Sequence, residues 1–445
     1  MERDMTVGKP AAMIINFTIP IFLGNVFQQF YSMADTIIVG KCVGNRALAA
    51  VGSVGTIMFF ILGFLMGLTT GFTVLTAQKF GAKDMRGMRR TVSSAYVLSI
   101  IVSVVMTLLS LLLMKKLLVF MHTPEDIFAD AYRYIMIICA GIFASTAYNL
   151  FSSILRAVGN SKVPLYFLIL SACLNIVLDL VLIILFKMGV SGAAYATVIS
   201  QGISAVLCLI YIIKKVPMLR LGKDDWKLNV YLVRNQVGVG LPMAFQYSIT
   251  AIGTMMVQSS LNILGSAAVA AFTAANKIEN VITQAYVALG TTMTSYCAQN
   301  RGAGKYSRIR SGFRAATAIG LVYSMLASIF FWTVGKYMSY LFVSEDIQSI
   351  MAQVEIYLRC IAVFMIPLMI VNTYRNGIQG MGYGILPMTA GIAELIGRGA
   401  AAQIAGHYRS YFGICMASPV AWILASALLL IMYVCIMRRH RMDVG

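Results

Sequence analysis

"AQKFGAKDMRGMRR" at Ala77–Arg90 returns as "AQNRGAGKYSRIRS" at Ala298–Ser311, 221 positions later. Two further blocks repeat in the same order. "GNRALAA" (Gly44–Ala50) is echoed by "GSAAVAA" (Gly265–Ala271) at an offset of 221, and "LRAVGNSKVP" (Leu155–Pro164) by "IQGMGYGILP" (Ile378–Pro387) at 223. Three ordered matches at a nearly constant offset indicate a fused duplication. The fold follows from what lies between the blocks. Those stretches are apolar and about 20–28 residues long, the length of a bilayer-spanning helix and far beyond the strands of roughly 10 residues in outer-membrane barrels.

Composition agrees. Of the 445 residues 59% are hydrophobic and 11% charged, with a mean hydropathy of +0.81. A soluble chain carries roughly 25% charged residues. The spacing predicts an all-α membrane protein with twelve spans, near 13–39, 47–76, 91–114, 127–156, 163–186, 190–213, 236–262, 268–297, 313–335, 350–376, 384–405 and 411–437. They form two pseudo-symmetric six-helix lobes. Residues 1–213 are the first lobe, 214–236 a cytoplasmic linker and 237–445 the second lobe. Six spans per half make the repeats parallel, the plan of an alternating-access carrier with a polar site between or inside its lobes.

The net charge of +19 does not call for nucleic acid. Lys and Arg recur in short loops that all fall on one side of the predicted topology: Lys79–Arg90, Lys214–Arg234, Arg301–Arg314 and the tail from Arg438. The positive-inside rule then predicts a multi-pass protein of the cytoplasmic membrane with both termini in the cytoplasm. Eight cysteines are dispersed without a CxxC or Cys/His ligand spacing, so neither a disulfide frame nor a zinc site is expected. The three histidines, His122, His407 and His440, fall at predicted helix ends or loops. In the linker, "KKVPMLRLGKDDWKLNVYLVRNQ", Trp226, Leu228, Leu232 and Val233 fit either an interfacial helix or an irregular loop.

Polar residues inside the spans carry the functional expectation, because a charge in lipid is costly to keep. In "GNVFQQFYSMADTIIVG" (Gly24–Gly40), Asn25, Gln28, Ser32 and Asp35 are spaced by three, four and three and share one helix face. In "SACLNIVLDLVLIILF" (Ser171–Phe186), Ser171, Asn175 and Asp179 recur every four residues. Tyr195 and Thr197 add polar groups on the next span. Two buried carboxyl groups placed together hold a proton near neutral pH. With Asn175 and a hydroxyl as neutral oxygens the same cluster suits Na⁺, and the residues leave both ions open. Pro20 lacks a backbone donor and weakens the first helix ahead of Asp35, which makes it a candidate hinge. The second half is no chemical copy: Asp35 is matched by Met256. Its charges include Lys277, Glu279, Glu355, Arg359, Glu394 and Arg398. Glu394 and Arg398, four apart, suit a structural ion pair. Glu279, flanked by Asn276 and Asn280, suits either a cavity wall or a helix end.

The chain resembles the multidrug and toxic compound extrusion (MATE) transporters over essentially its whole length. The resemblance rests on "YSMADTIIVG", "AQKFGAKD", "AQNRGAG", "LRAVGNSKVP", and "NIVLDLVLI" followed by "GVSGAAYATVIS". It implies a monomeric secondary antiporter, not an enzyme, that exports small organic, often cationic and amphipathic compounds in exchange for H⁺ or Na⁺ and needs no further cofactor. It places the cation site at Asp35, Asn175, Asp179 and Thr197, and matches Pro20 to the family's hinge. Asn25, Gln28, Ser32, Gln246 and Glu279 then line the substrate cavity. The seventh-span stretch "GLPMAFQYSITAIG" lacks the acidic residue of one branch, so the resemblance is to the DinF-like branch that relies on carboxylates of the first lobe. A lipid-linked oligosaccharide flippase of the related superfamily is the second transport reading. It expects more basic residues in the cavity than Lys277, Arg359 and Arg398. A membrane enzyme lacks any HExxH or GxSxG, and a non-transporting scaffold or receptor leaves Asp35 and Asp179 without a purpose.

Overall fold

The computed structural model describes residues 3–121, 123–339 and 347–442, so His122 lies outside it. The chain folds into helices α1 (Pro10–Cys42), α2 (Asn45–Gly81), α3 (Met85–Phe120), α4 (Glu125–Ala140), α5 (Ile142–Ala157), α6 (Lys162–Leu180) and α7 (Val190–Lys215). After the linker come α8 (Val230–Asn262), α9 (Ser266–Gly302), α10 (Tyr306–Thr333), α11 (Gly335–Ser339), α12 (Ile347–Val363), α13 (Met365–Gly380), α14 (Ile385–His407) and α15 (Tyr411–Met442). No strand occurs among the described residues. Seven of these helices are singly long and apolar enough to cross a membrane, and two bent pairs, α4 with α5 and α12 with α13, qualify as one span each. The other three expected spans fall on α8, α9 and α14, of 33, 37 and 23 residues. Their length suffices to cross, but they carry groups such as Gln246, Glu279 and Glu394 where lipid would otherwise favour apolar side chains.

The repeated blocks are the places where the backbone must turn sharply. Gly44 and Gly265 each precede a helix with φ of 120° and 92°, and Gly159 and Gly382 each follow one with φ of 83° and 82°. These are left-handed values that side-chain-bearing residues rarely adopt, which explains why both halves hold glycine there. The bends repeat as well. α4 meets α5 at 47° and α12 meets α13 at 52°. At the first bend Gly141 faces Val198, whose Cγ2 would stand 2.3 Å from any Cβ added there.

Two compact units form, and neither is a contiguous half of the chain. One is Met1–Asp4 with Leu23–Ala244; the other is Met5–Phe22 with Phe245–Gly445. The division therefore runs through α1 after Phe22 and through α8 after Ala244, two residues beyond Pro20 and Pro242 respectively. In the first unit α5 is central, packed on α2, α3 and α7; in the second α13 takes that place against α9, α10 and α15. Close helix approach relies on small residues. Gly71 of α2 lies so near Gly240 of α8 that an added Cβ would come within 2.3 Å of the Gly240 Cα. Broad apolar surfaces remain outside, as on α3, where Leu108 is 55%, Leu112 73% and Leu113 51% exposed. Such surfaces suit lipid rather than water.

The loops of the opening motif hold the chain where it enters the first helix of each half. In the second unit the Met5 N–H donates to Gln299 Oε1 at 2.9 Å, Asn300 Nδ2 to Met5 O at 3.2 Å, and Lys305 Nζ to Thr6 O at 2.9 Å. Arg308 Nη1 adds a bond to Gly8 O at 2.9 Å. In the first unit Arg89 Nε lies 3.4 Å from Asp225 Oδ2, and Ser93 Oγ donates to Asp225 O. Gln236 Nε2 bridges Phe72 O at 3.0 Å and Thr91 O at 2.8 Å. From 216 to 229 the linker is irregular with two short 3₁₀ turns, Pro217–Leu219 and Lys223–Trp226, while Leu232 and Val233 already lie on α8. Trp226 rests on Tyr96 with ring centroids 6.3 Å apart.

Asp84 caps α3 by accepting from the Gly87 N–H at 2.8 Å and from Lys79 Nζ at 2.9 Å. The Lys79 hydrogen bond and then the Gly87 N–H hold its carboxyl below the usual range. A carboxylate with a lowered folded value stabilises the fold above its unfolded value and loses that effect as pH falls through the lowered one. Asp84→Ala is expected to cost about 1 kcal/mol near neutral pH, the usual worth of an N-cap, and less in acid. Thermal unfolding of parent and variant in detergent at pH 7 and pH 3 checks this; an equal difference at both pH values contradicts it.

Candidate functional site

The carboxyl pair forms inside the first unit. α6 and α7 make an antiparallel hairpin, and the α6 stripe faces inward: Asn175 is 1% and Asp179 0% exposed. Immediately after Asp179 the helix widens into a π-helical turn, Val181–Leu185. Wide turns of this kind are frequent at functional sites because they free backbone groups and re-aim side chains. Asp35 reaches the cluster from α1, which continues seven residues past it to Cys42. The Asp35 and Asp179 carboxyl groups lie close enough to interact with one another. Two carboxylates only accept, so one shared proton is what would let such neighbours hydrogen-bond. Asp35 Oδ1 and Asp179 Oδ1 are buried and receive no hydrogen bond from any protein N–H or O–H among the described residues.

Asn175 joins this pair to α7. With its amide turned to satisfy both ends, it donates to Asp179 Oδ2 at 3.2 Å and accepts from the Thr197 N–H at 3.2 Å. The Thr197 hydroxyl donates to Ala193 O at 3.1 Å. Asp35, Asn175, Asp179 and Thr197 are therefore assembled in one place. Tyr195, two residues before Thr197, is 41% exposed and turns away. Two residues not anticipated from the stripes stand within electrostatic reach of both carboxyl groups: Tyr31 on α1 and Tyr134 on α4. Tyr31 was legible, since it precedes Asp35 by four residues on the same helix face. Tyr134 has no comparable cue; the fold brings α4 against α7 and α2.

The remaining polar residues of α1 are less enclosed. Asn25 is half-buried, and Gln28 and Ser32 are exposed, all in the same unit as Asp35. Gln246 and Glu279 belong to the second unit. Gln246 Oε1 accepts from Gln379 Nε2 at 2.6 Å. Glu279 is buried and receives hydrogen bonds from Tyr357 and, at 3.4 Å, from Asn276 Nδ2. The expected Glu394–Arg398 pair is part of a triad. Glu394 Oε1 meets Arg398 Nη2 and Oε2 meets Arg375 Nη2, both at 2.6 Å and all three residues buried. Arg375 lies nineteen residues upstream on another helix, which is why spacing along one helix did not reveal it. Arg359 pairs with Glu355 and lies over the Trp332 ring at 5.2 Å. Two of the three basic residues that a pyrophosphate cavity would use, Arg359 and Arg398, are thus already matched by carboxylates.

A duplicated bundle of apolar helices with ionisable groups buried inside them is the build of a polytopic membrane transporter. The MatE family profile matches residues 20–181 and 242–398. A probable multidrug resistance protein of Bacillus subtilis, YpnP, is 32% identical over 377 residues, 84% of this chain and 83% of its own. A second from the same organism, YoeA, is 28% identical over 74% of this chain and 73% of its own. Among solved structures, a MATE in complex with MaL6 superposes with a TM-score of 0.93 at 24% identity, covering 98% of both chains. The chain belongs to the MatE family of multidrug and toxic compound extrusion transporters, whose members are transporters and not enzymes.

Proposed function

We propose that the chain is a secondary antiporter of the cytoplasmic membrane that exports small organic, often cationic and amphipathic compounds in exchange for H⁺ or Na⁺. The observation that carries the reading is the pair of buried oxygens, Asp35 Oδ1 and Asp179 Oδ1, that receive no protein donor. A proton completes the carboxyl pair directly. The same oxygens, with those of Asn175 and Thr197, make an all-oxygen set of the kind Na⁺ takes. The ion is a co-substrate in this reading, and the chain needs no resident cofactor. Asn25, Gln28 and Ser32 present polar groups on the helix that carries Asp35, so occupancy of the carboxyl pair and contact with substrate act on one element. Gln246 and Glu279 serve as substrate contacts from the second unit. The protein works as a monomer with both termini in the cytoplasm.

Vesicles with an imposed pH or Na⁺ gradient test this. Movement of a fluorescent organic cation is expected to follow one of the two gradients and to collapse when an ionophore dissipates it. Transport indifferent to both gradients rules the reading out.

Pro20 supplies the hinge. It removes one backbone hydrogen bond from α1 just before Phe22, where the helix passes from one compact unit to the other. Pro20→Ala restores that bond and stiffens the helix. Gradient-driven transport is expected to slow several-fold, roughly 1 kcal/mol in barrier, while ion binding measured at equilibrium stays unchanged. An unaltered transport rate removes Pro20 from the mechanism.

A further inference from the structure

A groove on the first unit, lined by α3, α5 and the last turns of α7 and by neither α1 nor α6, encloses about 590 Å³. It lies between α3 and α7, is floored by α5, and is closed at one end by the linker. Its walls are graded along their length. At the linker end stand Arg220 and Trp226; next comes Tyr96; one turn further along α3 is Ser99, with Thr146 on α5; Ile100 and Phe143 line it too, as does Ser103, whose hydroxyl is taken up by Ser99 O at 2.7 Å. From Tyr96 to Ser103 the groove follows α3 for about 10 Å at the usual rise per residue.

Two features show what chemistry it takes. Ser99 and Thr146 are 4% and 2% exposed, both line the groove, and neither hydroxyl oxygen has a hydrogen-bond partner among the described residues. Leaving a buried hydroxyl unpaired is costly, so two on residues that line one groove favour a ligand that brings hydrogen-bond acceptors to that depth. Among the described residues the one charged residue lining the groove is basic, Arg220, and the segment that carries it is basic as well, though Lys227 is paired with Asp224 at 2.9 Å. The chain from 214 to 229 holds Lys214, Lys215, Arg220, Lys223 and Lys227 against Asp224 and Asp225. Arg220 is fixed at the end of α7 by its Nε bond to Ile213 O at 2.8 Å. The linker that forms the mouth is itself held down by the Asp225 contacts with Arg89 and Ser93.

We propose that this groove is a binding site for an anionic glycerophospholipid from the leaflet beside the linker. The phosphate meets Arg220 and its basic neighbours, the glycerol ester carbonyls accept from the Ser99 and Thr146 hydroxyls, and one acyl chain fills the apolar end along Ile100 and Phe143. Trp226 and Tyr96 sit at the depth of the headgroup boundary, where amphipathic rings are favoured. An organic cation, the substrate class proposed above, meets a mouth of its own sign of charge. The site is thus separate from the export reading and stands or falls without it.

Trp226 gives a direct readout. The full-length protein in detergent keeps Trp226 alone through Trp332→Phe and Trp422→Phe, and is titrated with phosphatidylglycerol or phosphatidylcholine brominated high on one acyl chain. The loss of quenching on Trp226→Phe in the otherwise intact protein gives the same signal should the double background fold poorly. Saturable quenching is expected, at a lower mole fraction of phosphatidylglycerol than of phosphatidylcholine. Arg220→Gln should erode that preference about fivefold, the worth of one basic residue at an anionic surface. Ala147→Phe, which fills the groove from α5, should abolish saturable quenching. Equal quenching by the two lipids overturns the proposal. So does quenching that survives Ala147→Phe, or stronger quenching by a brominated cationic amphiphile than by phosphatidylglycerol.

Discussion

Asp179→Asn is expected to abolish gradient-driven export while the protein is made and inserted at near-normal levels. The amide matches the carboxyl in shape and can still bond to Asn175, so packing at this fully buried position is kept. It cannot share a proton with Asp35 or contribute charge to a cation, and one of the two oxygens without a protein donor is lost. Substrate movement in vesicles with an imposed gradient should fall to the gradient-independent leak, and equilibrium binding of the substrate should survive. Asp35→Asn is the companion measurement: if the pair acts as one unit, the double variant is no worse than either single one, as for other groups that act together. Full gradient-dependent export by Asp179→Asn would move the coupling site elsewhere in the molecule.

The second large effect is structural. Glu394 is the only carboxylate bonded to Arg375 and Arg398 among the described residues, and all three side chains are buried. Glu394→Gln strands two guanidinium groups, and removing one partner of a buried ion pair typically costs 3–5 kcal/mol, here about that or more. Against a total stability of about 5–15 kcal/mol, much of the folded protein is lost. Arg398→Met should be milder, because Glu394 keeps Arg375. Replacing all three with Met, Leu and Met should recover more folded protein than Glu394→Gln alone, since an apolar trio leaves no unpaired charge. Thermal unfolding and monodisperse yield in detergent separate these cases. A Glu394→Gln protein as stable as the parent shows that the arginines find other partners.

How much of this was readable in the residues follows from what sets each feature. Helix positions were legible because length and hydropathy decide them, and the duplication was legible because left-handed glycines such as Gly44 and Gly265 leave a mark in the sequence. The site's stripes were visible since residues four apart share a helix face, which is how Asn175, Asp179 and Asp35 could be gathered. Contacts set by helix packing were not visible. Tyr134 joins the carboxyl pair, and Arg375 joins Glu394, only through neighbouring helices whose pairing no local spacing encodes. The bends at Gly141 and Phe364 were likewise hidden inside what read as single apolar spans. The linker illustrates an undecided periodicity. Its Trp and Leu spacing suited a helix, but Asp225 is drawn into bonds with Arg89 and Ser93, and the chain turns instead.

The assignment of each helix entry to the other half's unit has a consequence for how the molecule came to be built. A single six-helix half would leave its repeated loop, with partners such as Gln299 and Asn300, waiting for a leading segment, and its own leading segment waiting for a loop. Two copies of such a half satisfy each other by trading those segments, which is the geometry of a domain-swapped homodimer. Joining the two genes through the linker makes the trade intramolecular and raises the local concentration of each segment for its receptor. A backbone cut near Asn229 is therefore expected to yield two fragments that fold when produced together and neither of which is stable alone. In the fused chain the exchange of leading segments between the two units is held within one molecule.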